Sequence, residues 1–454
     1  MERRERRFAF TISGAHGVDH LLKRVFPPLI PIWAVAFGLP LWKLGVLLGA
    51  QTFGSAIGQT PMGHLSDRYD RRLMLPTGIA LMGASFVVFP AIPGAGLLAF
   101  EVTVGGAALE GGFLGMLAAM FVVGIGSSTL HPTGYPLISQ NVPEDRKGTV
   151  LGMWGSARAF GDGTAPALVG LGLLFAGWQW ILVAFGALGL LYAVYLFVAL
   201  GPFETRPAER VAAAVGGGDA DESGSGTGDG DGEPAGGPSV LGGDRRAFLY
   251  PVLAVFVAFV LQIVATTGTT VFLPEFVTSE YGYAFSVAGF EVTPESTASF
   301  YYSALLLTAG FVQIGTGRLV DRYDHRKVLL GFLAVGTATL VVLAELVFSP
   351  LALLPVLLLL GASLWGLNPA RDAIVSDIAP ADREGRTFGY LWTGALVASS
   401  AAPAVVGRIG DVAGLRPAFL LVAGLLVASA VPIALLLSER VYVDAPDSGG
   451  VRAD

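Results

Sequence analysis

The fold of this chain is decided by a short charged stretch that occurs twice. Residues 63–72 read GHLSDRYDRR and residues 317–327 read GRLVDRYDHRK, at a constant offset of 254 residues. A second pair matches without gaps at an offset of 237: HPTGYPLISQNVPEDRKG, which begins at residue 131, and NPARDAIVSDIAPADREG, which begins at residue 368. Two such matches indicate that the halves of the chain repeat each other in one direction.

The composition around these repeats is that of a membrane protein. Of the 454 residues, 53% are hydrophobic and only 14% are charged, whereas a soluble domain carries about 25% charged residues. The apolar residues form runs close to the ~20 residues that span a bilayer as a helix. The chain has no cysteine, which excludes disulfides and thiolate metal sites.

Turn and charge signals divide these runs into twelve predicted spans. They are 8–37, 41–63, 73–93, 113–141, 148–174, 178–200, 247–277, 297–317, 327–348, 351–379, 385–410 and 415–437. We therefore predict an all-α membrane protein with a six-helix bundle over 1–200 and a second over 247–437. An acidic, glycine-rich flexible linker over 201–246 joins them, and residues 438–454 form a tail.

The arginines and lysines predict the orientation of these spans. With both termini inside, 21 of them lie in cytoplasmic segments, and only Lys43, Arg408 and Arg416 lie outside. Cytoplasmic loops of membrane proteins are enriched in these residues. We expect a multi-pass protein of the cell membrane, with both termini, the linker and the two repeated charged loops in the cytoplasm.

The repeated loop resembles the signature G-x-x-x-D-R-x-G-R-K of the major facilitator superfamily. The matching residues are Gly63, Asp67, Arg68, Arg71 and Arg72 in the first copy, and Gly317, Asp321, Arg322, Arg326 and Lys327 in the second. Asp70 replaces the second glycine, and the second copy has one additional residue before Arg326. The resemblance implies twelve transmembrane helices in two parallel-repeat bundles and a cytoplasmic latch that favours one state of an alternating-access cycle; the alternative is a simple topology anchor.

Elementary chemistry suggests how such a loop works. Gly63 permits close approach of two helix backbones, and Asp67 is placed to accept hydrogen bonds from a helix N-terminus. The arginines hold the loop in the cytoplasm.

Two further motifs refine the resemblance. GDGTAPALVG at 161–170 is similar to an antiporter-type motif, with Gly161, Pro166 and Gly170 in place, and this similarity favours export. HPTG at 131–134, with His131, and the first-span H-x-x-D-H resemble the fosmidomycin-resistance-type branch. Met120 stands where proton-driven drug exporters carry arginine, which argues against standard drug/proton exchange.

The first span carries five ionisable residues at depths where each is costly: His16, Asp19, His20, Lys23 and Arg24. The first four are spaced i, i+3, i+4 and i+7, so they share one helix face. The hypothesis is that the histidines and Asp19 carry a coupling proton, while Lys23 and Arg24 attract an anionic substrate group. In the alternative, Asp19 and Lys23 only neutralise each other.

Other charges also lie within spans. Arg158 and Asp162 are spaced i, i+4, so we expect a pair that serves either structure or function. Arg371 and Asp372 are adjacent and are not expected to face one another; Arg371 binds substrate, or meets Asp377 or a backbone carbonyl.

The predicted function is secondary active transport, with proton-coupled export of a small organic anion or an amphipathic toxic compound. The alternatives are proton-coupled uptake of an organic anion, or a channel or non-transporting receptor on the same scaffold. No G-x-x-x-x-G-K-[ST] is present, so ATP is not the predicted energy source. We expect no enzyme activity, cofactor, metal or nucleic-acid partner; the partners are the bilayer, a small molecule and protons, and the chain is expected to be a monomer.

Overall fold

The structure is a computed structural model, which describes residues 1–104, 107–207, 245–287, 289–378 and 384–438. Most of the predicted linker and tail lies outside the described residues, so the domain boundaries stay predictions.

The first half of the chain builds six helical rods in the predicted order. The helices are α1 (Arg3–Lys23), α2 (Ile30–Phe37), α3 (Leu41–Ser66), α4 (Arg71–Val88), α5 (Gly111–Ser128), α6 (Leu130–Asn141), α7 (Glu144–Gly172) and α8 (Trp178–Ala199). Rod 1 contains α1 and α2, and rod 4 contains α5 and α6. An antiparallel hairpin of β1 (Glu101–Val104) and β2 (Ala107–Glu110) precedes α5.

The second half repeats this plan. Its helices are α9 (Arg245–Tyr281), α10 (Pro294–Val320), α11 (His325–Glu345), α12 (Pro350–Gly366), α13 (Asn368–Ile378), α14 (Glu384–Ser400), α15 (Ala402–Ala413) and α16 (Leu415–Leu435). Rod 10 contains α12 and α13, and rod 11 contains α14 and α15. A second hairpin, β3 (Phe285–Val287) and β4 (Phe290–Val292), lies between α9 and α10. The predicted fold class, two bundles of six helices, is confirmed.

The first span differs from the continuous helix that was expected over 8–37. Helix α1 ends at Lys23, a 3₁₀ turn covers Pro27–Leu29, and α2 follows. Pro27 and Pro28 lack N–H groups and cannot continue the hydrogen-bond ladder of α1. The break therefore falls just after the charged stretch.

Nine rods of the described chain contain a stretch long and apolar enough to cross a bilayer. The other three are the rod of α1 and α2, α3, and α7. Helix α1 carries the buried residues His16, Asp19 and His20, and α7 carries the buried Asp162. Together with the exposed charges near the ends of these helices, these residues lower their mean hydropathy.

The two bundles meet along two lines, α7 against α10 and α3 against α15. We call the end with the repeated charged loops the arginine-rich end. At the opposite end the backbones are in contact: a Cβ on Gly45 would overlap the carbonyl oxygen of Pro403, and one on Gly49 that of Ser400. The Ser303 hydroxyl donates to the Gly163 carbonyl oxygen at 2.5 Å. The opposite end is therefore closed.

The arginine-rich end is open by the same criterion. A Cβ added to any of four glycines would meet nothing within 4 Å: Gly63 of α3, Gly155 of α7, Gly317 of α10 and Gly389 of α14. Small residues in membrane helices normally mark close packing. Here they mark surfaces that are separated, so the cavity between the bundles opens toward this end.

The residues that follow α8 are fixed to the first charged loop. The backbone N–H of Arg71 donates to the carbonyl oxygen of Thr205 at 3.1 Å. The Asn141 amide donates to the Glu204 carbonyl oxygen at 2.7 Å and accepts from the Glu204 N–H at 2.9 Å. The beginning of the predicted linker is thus anchored on the first bundle.

Candidate functional site

The polar face of α1 lies inside the protein. His16, Asp19 and His20 expose 3%, 1% and 8% of their surface, and this face packs against α7. Charged side chains at membrane depth are tolerated where they face protein or a wet cavity. The predicted single face is therefore present and is turned away from lipid.

Three histidine rings form a cluster within the first bundle. The centroid of the His16 ring lies 4.9 Å from that of His20 and 5.4 Å from that of His131. His16 Nδ1 lies 2.9 Å from the Trp154 carbonyl oxygen. A carbonyl only accepts, so Nδ1 carries the proton. Nε2 has no hydrogen-bond partner among the described residues, and its lone pair is available to a proton.

Asp19 and Lys23 form the predicted i, i+4 pair. Lys23 Nζ lies 2.7 Å from Asp19 Oδ2 and donates to the Ser127 hydroxyl at 3.0 Å. The ammonium group is thus shared between α1 and α5. Its charge is already compensated in this state, which limits its direct role in holding an anion.

Asp162 is the centre of a second cluster. Its Oδ1 accepts from Arg24 Nε at 2.7 Å and lies 3.0 Å from His20 Nδ1. The expected partner, Arg158, approaches Oδ2 only to 3.8 Å. The sequence spacing identified the weaker of two ion pairs, because Arg24 comes from another helix and no spacing along α7 reveals it.

Arg24 also reaches the second bundle. Its Nη1 donates to the Tyr302 hydroxyl of α10 at 3.4 Å. One guanidinium therefore links the carboxylate of α7 to the partner bundle. The sequence offered no signal for Tyr302, which is a buried aromatic residue in an apolar run.

The position of the Arg371 side chain contradicts the prediction that it does not face Asp372. Its Nε and Nη2 lie 3.0 and 2.8 Å from Asp372 Oδ1. A guanidinium on three methylene groups can fold back onto a neighbour that its Cα–Cβ bond does not face. Arg371 also lies over the rings of Phe259 and Trp392, 4.3 and 5.2 Å from the centroids, which fixes its direction.

Asp377, the other partner considered for Arg371, is engaged elsewhere. Its Oδ2 lies 2.9 Å from Nδ1 of His325 at the arginine-rich end of α11.

A cavity of about 250 Å³ lies between the bundles, and residues of both clusters line it. The first bundle contributes His20, Lys23, Arg24, Gln51 and Arg158, and the second contributes Gln262, Thr266, Thr270, Trp365 and Arg371. A second space of about 320 Å³ adjoins it between α7 and α10, with Gly155, Arg158 and Asp162 in its wall. Arg158 lines both spaces.

The charges around the cavity do not balance. The chain has 28 arginines and lysines, and four of them, Lys23, Arg24, Arg158 and Arg371, line this cavity. Three carboxylates contact them: Asp19, Asp162 and Asp372. The site carries one excess positive charge and suits an anion.

The repeated loops fasten the ends of their own bundles. Arg72 Nε donates to the Phe197 carbonyl oxygen at the end of α8, at 2.8 Å. Arg326 Nη1 donates to the Leu436 carbonyl oxygen at the end of α16, at 2.7 Å. Arg71 is buried and donates to Ser66 Oγ at 3.0 Å. The other charged members of the motif, Arg68, Asp321, Arg322 and Lys327, are exposed.

Two expectations for the loop fail in this state. Asp67 is exposed at the end of α3, and within the described chain no hydrogen bond to its carboxylate is recorded. Gly63 faces open space instead of a helix backbone. Both differences have one cause, the separation of the bundles at the arginine-rich end.

The helix caps in the two loops are aspartates that follow Asp67 and Asp321. The Asp70 carboxylate accepts from the Arg72 N–H at 2.9 Å, and that of Asp324 accepts from the Arg326 N–H at 2.9 Å. Hydrogen bonds from the Arg326 side chain, above all, lower the pKa of Asp324 to about 2. Both caps follow the expected chemistry of helix N-termini.

The antiporter-type motif at residues 161–170 lies at interfaces of α7. A Cβ on Gly170 would come within 3.0 Å of Ser296 O and Ser299 Cβ of α10, so these two helices pack tightly at this point. Gly161 instead contacts the Gly17 carbonyl oxygen of α1. Pro166 is buried in the same helix.

Sequence reasoning passed over Gln51 of α3. It lies in the apolar run LLGAQTFGSA, yet it lines the cavity and is 7% exposed. A lone amide in a membrane helix is costly, and that cost was the available signal.

Comparison with known proteins identifies the family of this chain and supports its fold. A profile described as Major Facilitator Superfamily matches residues 12–294 and 292–453. The hexuronate transporter of Bacillus subtilis is 24% identical over 400 residues, 85% of this chain and 83% of its own. A bacterial homologue of the human lysosomal transporter Spinster has a similar structure, with a TM-score of 0.71 and 15% identity over 96% of this chain and 97% of its own.

Some curated relatives are matched over less of their length. This chain covers 40% of an MFS-type transporter of Methanocaldococcus jannaschii and 31% of a probable L-galactonate transporter of Escherichia coli. The multidrug resistance protein MdtG of Serratia proteamaculans is 34% identical over 127 residues, 27% of this chain and 30% of its own.

Proposed function

Because the chain belongs to the major facilitator superfamily, whose members are transporters and not enzymes, we propose that it carries a small organic anion together with a proton through its central cavity. The observation that carries this proposal is the arrangement of charge. Every cation that lines the cavity has a carboxylate partner, and one positive charge remains in excess.

The lining of the cavity favours a small polar anion over an amphipathic toxic compound, because four cations and the amides of Gln51 and Gln262 line it. Hexuronate, named in a relative that covers 85% of this chain, is a carboxylate. This similarity supports an anionic substrate.

The ion pairs predict that binding of a proton strengthens binding of the anion. Protonation of Asp19 or Asp162 removes the negative charge that Lys23 or Arg24 now neutralises. Each cation is then free to attract an anion, so proton and anion promote each other's binding. At ~6 Å and an effective dielectric constant of ~20, one unit charge contributes about 3 kcal/mol, or about a hundredfold in affinity.

The histidine cluster is the proton relay in this proposal. His16 has an available Nε2 and contacts the rings of His20 and His131, and His20 lies against Asp162. A proton that enters the cluster can reach the carboxylate beside Arg24 by short transfers. Co-binding of proton and anion supports symport, which under an inward proton gradient is uptake.

The orientation follows from the positive-inside argument. We place the arginine-rich end and both termini in the cytoplasm of a cell-membrane protein that acts as a monomer. The present state then opens inward, and closure of that end with opening of the other delivers the site to the outside.

Export is the second candidate function. It is favoured by the close contact of Gly170 with α10 and by the antiporter-type motif around it. In that case the proton must weaken substrate binding, which the charge arrangement does not favour for an anion. An amphipathic cation would satisfy this requirement.

The test is counterflow in proteoliposomes with labelled anions and cations, with and without a pH gradient. We expect anion exchange, anion accumulation driven by an inward proton gradient, and proton uptake with the anion. His16→Gln combined with His20→Gln should abolish substrate-coupled proton flux. His64→Gln is the matched control, because His64 is exposed and bonded to its own helix at Thr60.

Several outcomes contradict the proposal. Unchanged proton flux in the double variant would show that His16 and His20 do not carry the coupling proton. Exchange of cations alone, with protons moving in the opposite direction, supports the export candidate. Currents above carrier turnover indicate a channel, and binding without exchange indicates a receptor.

A further inference from the structure

Two buried amides that line the cavity have polar atoms without a hydrogen-bond partner among the described residues. Gln262 of α9 is 1% exposed, and neither its Nε2 nor its Oε1 is bonded within the described chain. Gln51 of α3 is 7% exposed, and its Nε2 also has no hydrogen-bond partner among the described residues. Both line the central cavity, one from each bundle. Buried polar groups are nearly always bonded, so the three unbonded amide atoms at this one cavity are candidates to bind a ligand there.

The hydroxyl groups beside them are already engaged as donors. Thr52 Oγ1 donates to the Leu48 carbonyl oxygen at 3.3 Å, and Thr270 Oγ1 donates to that of Thr266 at 2.8 Å. Each can still accept a hydrogen bond. The cavity wall therefore offers amide donors and acceptors together with hydroxyl acceptors, which is the complement of a ligand rich in hydroxyl groups.

The charged end of the ligand has a separate position. Arg158 is 40% exposed, and its nearest carboxylate, Asp162, is 3.8 Å away and already engaged by Arg24. It is the least compensated cation of the cavity. One excess positive charge suits one carboxylate better than a dianion.

We propose that Gln51 and Gln262 bind hydroxyl groups of the transported anion, and that this anion is a small polyhydroxylated monocarboxylate held at its charged end by Arg158. The inference rests on the proposed function, since it names the substrate class of that same cavity. The two amides lie in different bundles, so a bound polyol bridges them and favours closure of the bundles around it.

Such a site discriminates strongly. A pocket built to hydrogen-bond hydroxyl groups rejects an analogue without them, because its own polar groups then stay unpaired. The matching test uses three anions in proteoliposomes: D-gluconate, a monocarboxylate with five hydroxyl groups; D-glucarate, its dianionic counterpart; and hexanesulfonate, a monoanion without hydroxyl groups.

We expect counterflow of labelled gluconate and at least tenfold weaker competition by glucarate and by hexanesulfonate. Gln262→Leu and Gln51→Leu should each raise the KM for gluconate at least tenfold and leave competition by hexanesulfonate within twofold. Gln313→Leu is the matched control, because Gln313 of α10 lines the adjoining space but donates to its own helix at Ala309, at 3.2 Å.

Thermal stability separates recognition from folding. Replacement of an unbonded buried amide by an apolar group of similar volume should leave the melting temperature of Gln262→Leu unchanged or higher. A variant that loses gluconate transport and also melts lower contradicts the proposal, because the amide then serves the fold.

The remaining outcomes are distinct from failure of the proposed function. Exchange of glucarate or hexanesulfonate without gluconate overturns the substrate class and leaves anion transport standing. A KM for gluconate that both variants keep at the control value overturns the role of the amides. No exchange of any anion overturns the proposed function itself.

Discussion

The Asp411 carboxylate accepts a hydrogen bond from the backbone N–H of Leu41 at 2.7 Å. A second bond, from the N–H of Trp42, measures 3.0 Å. Asp411 lies near the end of α15, and Leu41 begins α3 of the other bundle. A helix N-terminus has unpaired N–H groups and partial positive charge, so this carboxylate ties the bundles together at the end that is closed.

Asp411→Asn should weaken this tie and shift the population toward opening of that end. Charge-assisted hydrogen bonds contribute about 1.5–3 kcal/mol, so we expect at least a fivefold shift. The chain has no cysteine, which allows single labels. Thiol labelling should slow at Ser156→Cys, which is exposed in the open half of α7, and accelerate at Ser299→Cys, which is buried at the closed end.

Asp67→Asn is the opposing control for this prediction. Its carboxylate is exposed at the open end, and the family resemblance assigns it to a latch that acts when that end closes. The variant should accelerate labelling at Ser156→Cys or leave it unchanged. A shift in the same direction as Asp411→Asn would argue against opposed latches.

Alanine substitutions of glycines should bias the cycle in opposite directions. A Cβ at Gly49 would collide with the Ser400 carbonyl oxygen, whereas a Cβ at Gly155 meets open space. Gly49→Ala should therefore destabilise the present state, and Gly155→Ala should obstruct closure of the arginine-rich end. Distance measurements between spin labels on the two bundles should show these opposite shifts; equal distributions would contradict the idea.

Asp162→Asn should uncouple transport from protons. An amide cannot take up a proton, and Arg24 loses its charge partner permanently. We expect gluconate counterflow to continue while accumulation driven by a pH gradient falls at least tenfold. Asp372→Asn is the comparison, because its side chain also pairs with a cavity arginine but is 44% exposed. Loss of counterflow together with accumulation would assign Asp162 to folding or binding instead.

Asp324→Ala should loosen the first turn of α11. The cap contributes about 1 kcal/mol, so amide exchange over residues 325–331, corrected for intrinsic rates, should be about fivefold faster. The folded pKa of about 2 lies below the ordinary 3.8, so the stabilisation is complete above that ordinary value and disappears as the pH falls through 2. The difference between wild type and variant should therefore narrow on acidification, and a constant ratio down to pH 2 would contradict this cause.

The architecture was predictable because its determinants are local or repeated. Apolar runs of about twenty residues predict spans regardless of their neighbours, and the two charged loops reveal the repeat through residues such as Asp70 and Asp324. Each of these carboxylates caps its helix by accepting a hydrogen bond from the N–H two residues later, so the cap depends only on adjacent sequence. The break of the first span was not predicted, although Pro27 carries a signal for it, since proline cannot donate to the helix ladder.

The site was predictable only in part. The spacing of Asp19 and Lys23 along α1 predicts their contact, which the structure contains. The pairing of Arg24 with Asp162 joins positions 138 residues apart, and periodicity carries no information about it. The fold of Arg371 back onto Asp372 depends on the aromatic rings that hold its guanidinium, and these come from two other helices.

The sequence by itself determined that this chain crosses the membrane as two repeated six-helix bundles, because hydrophobic length and loop charge act along the chain. Only the tertiary structure decided which end is open, which carboxylate neutralises which cation, and which amides stay unbonded at the cavity. Those properties arise from contacts between helices distant in sequence, where a shift of one helix against another exchanges partners without any change in the chain.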